Sequence, residues 1–251
     1  MTRMLGLFAA TLMATASPLG AAAPEKPVSI VLVHGAFVDG SGWKSVYEAL
    51  SNDGYEVLVV QNPTVTLDGD AEATRQVIAR AKHPVVLVGH SYGGAVITQA
   101  GDDPKVQSLV YLAAFAPDVG ESVFELASKP HPGEVSAPLL PPADGYLRVD
   151  PAKFPTAFAA DVDGSTTKFM ADAQVPWGLA AVQFKLTKAA WKAKPVHYML
   201  TLGDHMIPPS AQRAMAMRAK AQLVEIQSSH AVMLSHPDRV VQFIEASDPD
   251  K

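Results

Sequence analysis

The fold is decided by residues 85–97, which read VVLVGHSYGGAVI. The β-branched run before the first glycine predicts a buried strand, and the small residues after the serine predict the start of a helix. Ser91 therefore lies at the apex of a strand–turn–helix unit. The turn has the pattern G-x-S-x-G, in which Gly89 and Gly93 leave room for a strained serine whose hydroxyl stands above the sheet. This pattern predicts that Ser91 is a nucleophile, placed at the positive end of the following helix.

Strands and helices alternate on both sides of this unit. Apolar runs predict further strands at 28–33, 55–60, 107–114, 196–202 and 222–227. Helical patterns occur at 43–51, 70–81, 210–219 and 237–246. Such alternation indicates an α/β fold with a mostly parallel, doubly wound sheet. Apolar runs without polar alternation are typical of strands that are buried on both faces.

Residues 117–194 differ in composition from the rest of the chain. They are rich in proline, but they also carry more aromatic residues than a disordered linker would. We therefore predict a mainly helical cap, inserted between the two parts of the core at 24–116 and 195–251 and folded over the mouth of the site. The candidate pocket residues are Phe37, Tyr146, Phe154 and Trp177. Any one of these rings could instead pack the cap onto the core.

A serine hydroxyl needs a base to accept its proton and an acid to orient that base. Asp204 and His230 both follow predicted strands, so they are expected at the same edge of the sheet as Ser91. We predict that His230 is the base and that Asp204 is the acid. Asp118 also follows a strand and is the alternative acid.

The loop after the first strand reads HGAFVDGSGW at residues 34–43. Backbone N–H groups of such a loop, and of the residue after the nucleophile, can bind the oxyanion that forms during acyl transfer. The expected donors are the amides of Ala36 and Tyr92, with Phe37 as the nearby alternative. His34 is interpreted as structural, with its imidazole packed beneath the loop.

Composition excludes several classes of protein. The net charge of −5 provides no basic surface for nucleic acid, and the absence of cysteine excludes disulfides, thiolate zinc sites and cysteine nucleophiles. Residues 1–23 combine Arg3, a short apolar run and small residues, which predicts a signal peptide that is removed after Ala22 or Ala23. The mature protein is expected to be exported, to a bacterial periplasm or beyond the cell. No later segment is long and apolar enough to anchor it in a membrane.

The chain resembles the α/β-hydrolase fold and, more narrowly, the family of plant methylesterases and hydroxynitrile lyases with its bacterial esterase relatives. The resemblance covers residues 28–246 and rests on HGA at 34–36, GHSYGG at 89–94, DHMIP at 204–208 and SHAVMLS at 229–235. It implies a small cap, no cofactor or metal, and a small-molecule ester as substrate. The lyases have a lysine after the catalytic histidine and a threonine in the oxyanion loop, where this chain has Ala231 and Gly35. Cyanohydrin cleavage is therefore not expected.

The predicted activity is hydrolysis of small to medium carboxylic esters through an acyl-Ser91 intermediate. Two alternatives stay open at this point. One is a non-catalytic protein that holds a small molecule in the same pocket. The other is hydrolysis of a lactone, an amide or a carbon–carbon bond by the same residues.

Overall fold

A computed structural model describes residues 24–249, so the predicted signal peptide at 1–23 lies outside the described residues. The strands are β1 (Ser29–Val33), β2 (Glu56–Val60), β3 (Val85–His90), β4 (Val106–Leu112), β5 (Tyr146–Leu147), β6 (Trp177–Gly178), β7 (Val196–Thr201) and β8 (Gln222–Ile226). Six of them form one sheet in the order β2-β1-β3-β4-β7-β8, and every neighbouring pair is parallel. The predicted parallel, doubly wound sheet is confirmed.

Helices cover both faces of this sheet. They are α1 (Lys44–Asn52), α2 (Leu67–Arg80), α3 (Gly93–Ala100), α4 (Val123–Ala127), α5 (Phe154–Phe158), α6 (Gly164–Asp172), α7 (Leu179–Gln183), α8 (Pro209–Arg218), α9 (Val232–Ser235) and α10 (Pro237–Glu245). Apolar side chains of α1 and α10 pack on one face, and those of α2, α3 and α8 pack on the other. β1 and β3 are buried along their whole length, as their apolar runs predict. Within residues 24–249, no helix is long and apolar enough to cross a membrane.

The segment 117–194 contains α4 to α7 and the antiparallel pair β5–β6. Its buried side chains, including Leu147 and Phe158, belong to the same apolar cluster as Leu87 and Tyr111 of the sheet. The cap is therefore packed directly onto the core, and its boundaries at 117 and 194 stay a prediction.

Most boundaries lie within two residues of the sequence-based expectation, but α2 and the segment around Trp177 differ more, each for a local reason. α2 begins at Leu67, three residues early, because the Thr66 side chain accepts a hydrogen bond from the Gly69 amide and caps the helix. Trp177 lies in β6 rather than at a helix start. The Gly178 amide donates to the Thr64 carbonyl, which fastens this strand to the core before α7 begins.

Left-handed backbone conformations are concentrated where strands of the sheet end. Each of the strands β1, β2, β3 and β4 is followed within four residues by a non-glycine residue with positive φ. These residues are Phe37 (68°), Thr64 (57°), Ser91 (56°) and Ala113 (46°). Such conformations cost about 1–3 kcal/mol each and occur mostly at functional sites. The carboxyl edge of the sheet is thus the place to look for chemistry, as in other parallel α/β sheets.

Candidate active site

Ser91 occupies the turn between β3 and α3 in a left-handed conformation, with φ of 56°. The two flanking glycines are required by space. A Cβ at Gly89 would lie 2.6 Å from the Gly93 carbonyl oxygen, and one at Gly93 would lie 2.6 Å from the carbonyl oxygen of Val33. The Ser91 amide donates to the Leu112 carbonyl at 3.2 Å, which holds the turn against β4. The predicted elbow geometry is therefore present.

Asp204 and His230 form a buried pair at the ends of β7 and β8. His230 Nδ1 lies 2.7 Å from Asp204 Oδ2, and the side chains are 1% and 0% exposed. Since a carboxylate accepts, the proton of the imidazole is on Nδ1, and Nε2 carries the lone pair. Nε2 is itself buried, and no group in residues 24–249 forms a hydrogen bond with it. An unpartnered basic nitrogen at this edge is what a general base for Ser91 requires.

Further donors fix the orientation of the Asp204 carboxylate. Oδ1 accepts from the backbone amides of Met206 at 2.7 Å and Ile207 at 2.9 Å. Besides its bond with His230, Oδ2 accepts from Gln212 Nε2 at 2.8 Å and from Thr201 Oγ1 at 3.0 Å. Sequence reasoning missed Gln212, since nothing in the helical pattern of α8 indicates which residue reaches back to this loop.

Asp118, the alternative acid, lies in a different environment. Its Oδ1 is 2.5 Å from Lys192 Nζ, at a partly exposed position beside the cap. The geometry therefore joins His230 to Asp204 and not to Asp118.

Two aromatic rings, His90 and Phe158, contact the His230 ring and were not singled out from the sequence. The centroid of the His90 ring is 4.7 Å from that of His230, and Phe158 packs edge-to-face at 4.8 Å. His90 Nε2 donates to the His230 carbonyl at 2.9 Å. Burial, together with the neighbouring His230, holds the pKa of His90 well below its ordinary value. The His90 ring is thus neutral, and its hydrogen bond supports the loop that carries His230.

The expected oxyanion donors have free N–H groups. Neither the Ala36 amide nor the Tyr92 amide donates a hydrogen bond to any group within residues 24–249. Both ring nitrogens of His34 form hydrogen bonds within the protein. Nδ1 donates to the Gly35 carbonyl at 2.8 Å, and Nε2 accepts from the Asn62 amide at 2.8 Å. The structural interpretation of His34 agrees with these contacts.

A buried carboxyl group binds the side chain of Tyr92. Asp70 of α2 accepts from the Tyr92 hydroxyl at 2.6 Å and from the Thr64 amide at 2.8 Å. Burial raises the pKa of Asp70 to about 6, although both hydrogen bonds act in the opposite direction. The group therefore changes charge in a range that is accessible to measurement.

We expect Asp70→Asn to change how stability depends on pH. The raised pKa means that the folded protein binds this proton more tightly than the unfolded chain does, so the contribution is present below about pH 4 and is lost as pH rises through 6. Asparagine does not titrate. The stability of Asp70→Asn relative to that of the wild type should thus increase by an amount on the order of 3 kcal/mol as the pH rises from below 4 to above 6. Denaturant unfolding over this range measures it, with Asp68→Asn on the exposed side of α2 as the control. Parallel stability curves would contradict this role of Asp70.

The predicted pocket residues separate into two groups. Phe37 lines a cavity of about 180 Å³ between the oxyanion loop and α6, together with Val38, Phe169, Met170, Ala173 and Leu234. The others lie in packing or strand-pairing contacts: Trp177 packs against Phe37 and Tyr92, Phe154 stacks on Phe158, and Tyr146 of β5 pairs with Gly178 of β6. Ser91 is not among the residues that line the cavity.

The chain is similar to known proteins in sequence and in fold. The chain is 30% identical over 243 residues to a carbendazim hydrolyzing esterase of Nocardioides sp. (strain SG-4G), covering 87% of this chain and 98% of that protein. The crystal structure of a pyrethroid hydrolase from Sphingobium faniae JZ-2 superimposes with a TM-score of 0.76 at 23% identity, covering 89% and 99% of the two chains. A methylesterase from Arabidopsis gives a TM-score of 0.72 at 19% identity, covering 87% and 98%.

The family assignment follows from the extent of these matches. A sequence model described as "Alpha/beta hydrolase family" matches residues 30–243, which include both ends of the sheet and all three residues of the predicted triad. The chain therefore belongs to the alpha/beta hydrolase family and is a hydrolase.

Proposed function

We propose that the protein is an exported serine carboxylesterase that hydrolyses small to medium esters with an apolar acyl or aryl part. The observation that carries this proposal is the buried Asp204–His230 pair, whose free Nε2 stands at the same sheet edge as the strained Ser91. The names of the relatives support ester hydrolysis, since they include an esterase and a pyrethroid hydrolase.

In the proposed mechanism, Ser91 Oγ attacks the ester carbonyl while His230 Nε2 accepts its proton. The negative charge that develops on the carbonyl oxygen is stabilised by the amides of Ala36 and Tyr92. His230 then returns the proton to the alkoxide, and the alcohol leaves. In the second half, His230 deprotonates a water molecule, which attacks the acyl-Ser91 carbonyl. The imidazolium of His230 then returns this proton to Ser91 Oγ as the acid is released. Asp204 holds the imidazole in the tautomer that both halves require.

The cavity beside Phe37 supports an apolar substrate group. Six of its lining side chains are apolar, and its charged member is Asp39, which disfavours an anionic group. A cavity of about 150 Å³ is enough for a benzene ring, so about 180 Å³ suits one aryl ring or a short acyl chain.

We expect Phe169→Ala to alter selectivity without altering stability. The Phe169 side chain is 70% exposed and lines the cavity, so its loss should cost no more than about 0.5 kcal/mol of folding free energy. The ratio of kcat/KM for p-nitrophenyl butyrate to that for the acetate should fall by about 3- to 10-fold. Phe124→Ala provides a matched control, because this α4 ring is 52% exposed and lies outside the lining. Equal ratios in the two variants would rule out the cavity as the acyl site.

Trp177→Ala is expected to act on stability instead. The ring is 5% exposed, and its centroid lies 5.6 Å from that of Phe37 and 5.1 Å from that of Tyr92. Removing a buried ring of this size costs about 3–5 kcal/mol, which should lower Tm by roughly 10 °C. The butyrate-to-acetate ratio should stay within about twofold of the wild-type ratio. A severalfold change in that ratio with little change in Tm would assign Trp177 to the substrate pocket.

The proposed activity is tested by hydrolysis of p-nitrophenyl acetate and butyrate by the mature chain. Turnover well above that of Ser91→Ala supports a serine esterase. Equal rates for the two proteins would favour the non-catalytic binder. Preference for a lactone or an amide in a parallel panel would redefine the bond that is cleaved.

Export is proposed from the N-terminal sequence alone. Expression of the full chain in a bacterium, followed by N-terminal sequencing of the periplasmic or secreted protein, tests it. The expected new N-terminus follows Ala22 or Ala23. Recovery of an uncleaved chain in the cytoplasm would contradict export.

A further inference from the structure

A carboxylate of the cap holds the loop that carries His230. Asp161 follows α5, and its Oδ2 accepts from the Ser229 amide at 3.0 Å and from the Ser228 hydroxyl at 2.9 Å. Its Oδ1 accepts from the Ser229 hydroxyl. One residue beyond His230, the Ala231 amide donates to the Phe158 carbonyl at 3.0 Å. The residues before and after His230 are thus both bound to the cap segment Phe158–Asp161.

The polar surroundings of Asp161 favour its charged form. Burial raises the pKa of this carboxyl group, but donors from Ser229 and Ser228 outweigh that effect and hold the pKa below its ordinary value. His236 Nε2 lies 3.6 Å from Oδ2, and the Ser235 hydroxyl meets that of Ser228 at 3.0 Å. Asp161 therefore presents a carboxylate with its acceptor positions directed at the histidine loop.

These contacts complete the set that places the imidazole of His230. Asp204 fixes Nδ1 from the core side, and the Phe158 ring packs edge-to-face on the imidazole from the cap side. Neither of these two contacts holds the backbone of His230, whose carbonyl accepts from His90 Nε2. A rotation of that backbone would move Nε2 away from the elbow. The bonds from the cap to Ser229 and Ala231 restrain this rotation.

We propose that Asp161 is a positioning residue for His230, which acts through Ser229 to keep Nε2 of the imidazole directed at Ser91. The proposal rests on the proposed function, because it requires His230 to be the general base.

Asp161→Asn tests the proposal. Asparagine keeps one acceptor oxygen for the Ser229 amide and the Ser228 hydroxyl, but it loses the negative charge and places an NH₂ group opposite the Ser229 hydroxyl, which then has to accept instead of donate. A displacement of about 1 Å in a catalytic group can lower the rate by about 100-fold, so kcat for p-nitrophenyl butyrate should fall by about 10- to 100-fold while KM stays within about twofold. Inactivation by a serine-reactive phosphonate also needs the base, and its rate should fall in parallel. A loss of stability alone would change neither kcat nor this rate in the folded fraction.

A nearby aspartate provides the matched control. Asp163 caps α6 through the amides of Ser165 and Thr166, so Asp163→Ala should lower Tm but leave kcat unchanged. Ser229→Ala is the second variant if Asp161→Asn does not fold. It should lower kcat by itself and add little in the Asp161→Asn background, because both changes break the same bond.

Wild-type kcat in Asp161→Asn or in Ser229→Ala, or an equal loss in Asp163→Ala, would overturn the positioning role. These outcomes differ from failure of the proposed function. If the proposed function itself were wrong, Ser91→Ala, assayed in parallel, would retain the wild-type rate.

Discussion

Ser91→Ala should lower kcat/KM for p-nitrophenyl butyrate by at least ~10⁴-fold, down to the residual rate that binding and the oxyanion donors support. The reason is that the Ser91 hydroxyl lies in the left-handed turn between β3 and α3, where this type of turn places a nucleophile. Alanine adopts the same turn with similar strain, and the Cβ position near Gly35 is kept, so the fold should be retained.

Steady-state assays of both proteins, with Tm measured alongside, test this expectation. An unchanged Tm with abolished turnover assigns the loss to chemistry. Retention of more than about 1% of the wild-type rate would place the nucleophile elsewhere.

Asp204→Asn should lower kcat by about 10⁴-fold. Oδ1 of Asp204 faces the amides of Met206 and Ile207, so asparagine keeps its oxygen there and turns its NH₂ group to the position of Oδ2. At that position it meets His230 Nδ1, which now has to accept. The imidazole proton moves to Nε2, and the nitrogen that should accept the proton of Ser91 is blocked. The loss arises from the wrong tautomer and should appear with little change in KM.

Asp118→Asn is the paired control for this change. Asp118 forms a partly exposed ion pair with Lys192, and such pairs contribute about 0–1 kcal/mol to stability. Its activity should stay within about twofold of the wild-type activity. If Asp118→Asn were the more damaging of the two substitutions, the assignment of the acid would be wrong.

Much of the fold and of the site could be predicted because the signals are local. A strand, two glycines and a serine define the elbow within a few residues, and parallel strands bring their carboxyl ends to one edge. Asp204 and His230 could thus be placed near Ser91 from their positions after strands, without knowledge of any contact. The structure adds the 2.7 Å bond between them and the unpartnered Nε2.

The features that could not be predicted depend on long-range packing. Gln212 reaches Asp204 only because of the rotation of α8 on the sheet, and Asp161 meets Ser229 across 68 positions of sequence. The raised pKa of Asp70 depends on burial beneath Tyr92, which no residue pattern in α2 indicates. The sequence around Trp177 predicts the start of a helix next to a proline. The structure instead has Trp177 in a strand, which the hydrogen bond from the Gly178 amide to the Thr64 carbonyl holds on the core.

The most direct test of the central claim is to identify the residue that becomes covalently modified. The mature protein is treated with a p-nitrophenyl phosphonate, and its intact mass and proteolytic peptides are analysed, with Ser91→Ala and His230→Ala treated in the same way. The expected result is one phosphonyl group per chain, located on Ser91, with release of one nitrophenolate. The first variant should show no modification, and the second should show strongly slowed modification. A group found on another residue, or equal labelling of Ser91→Ala, would contradict a mechanism built on Ser91.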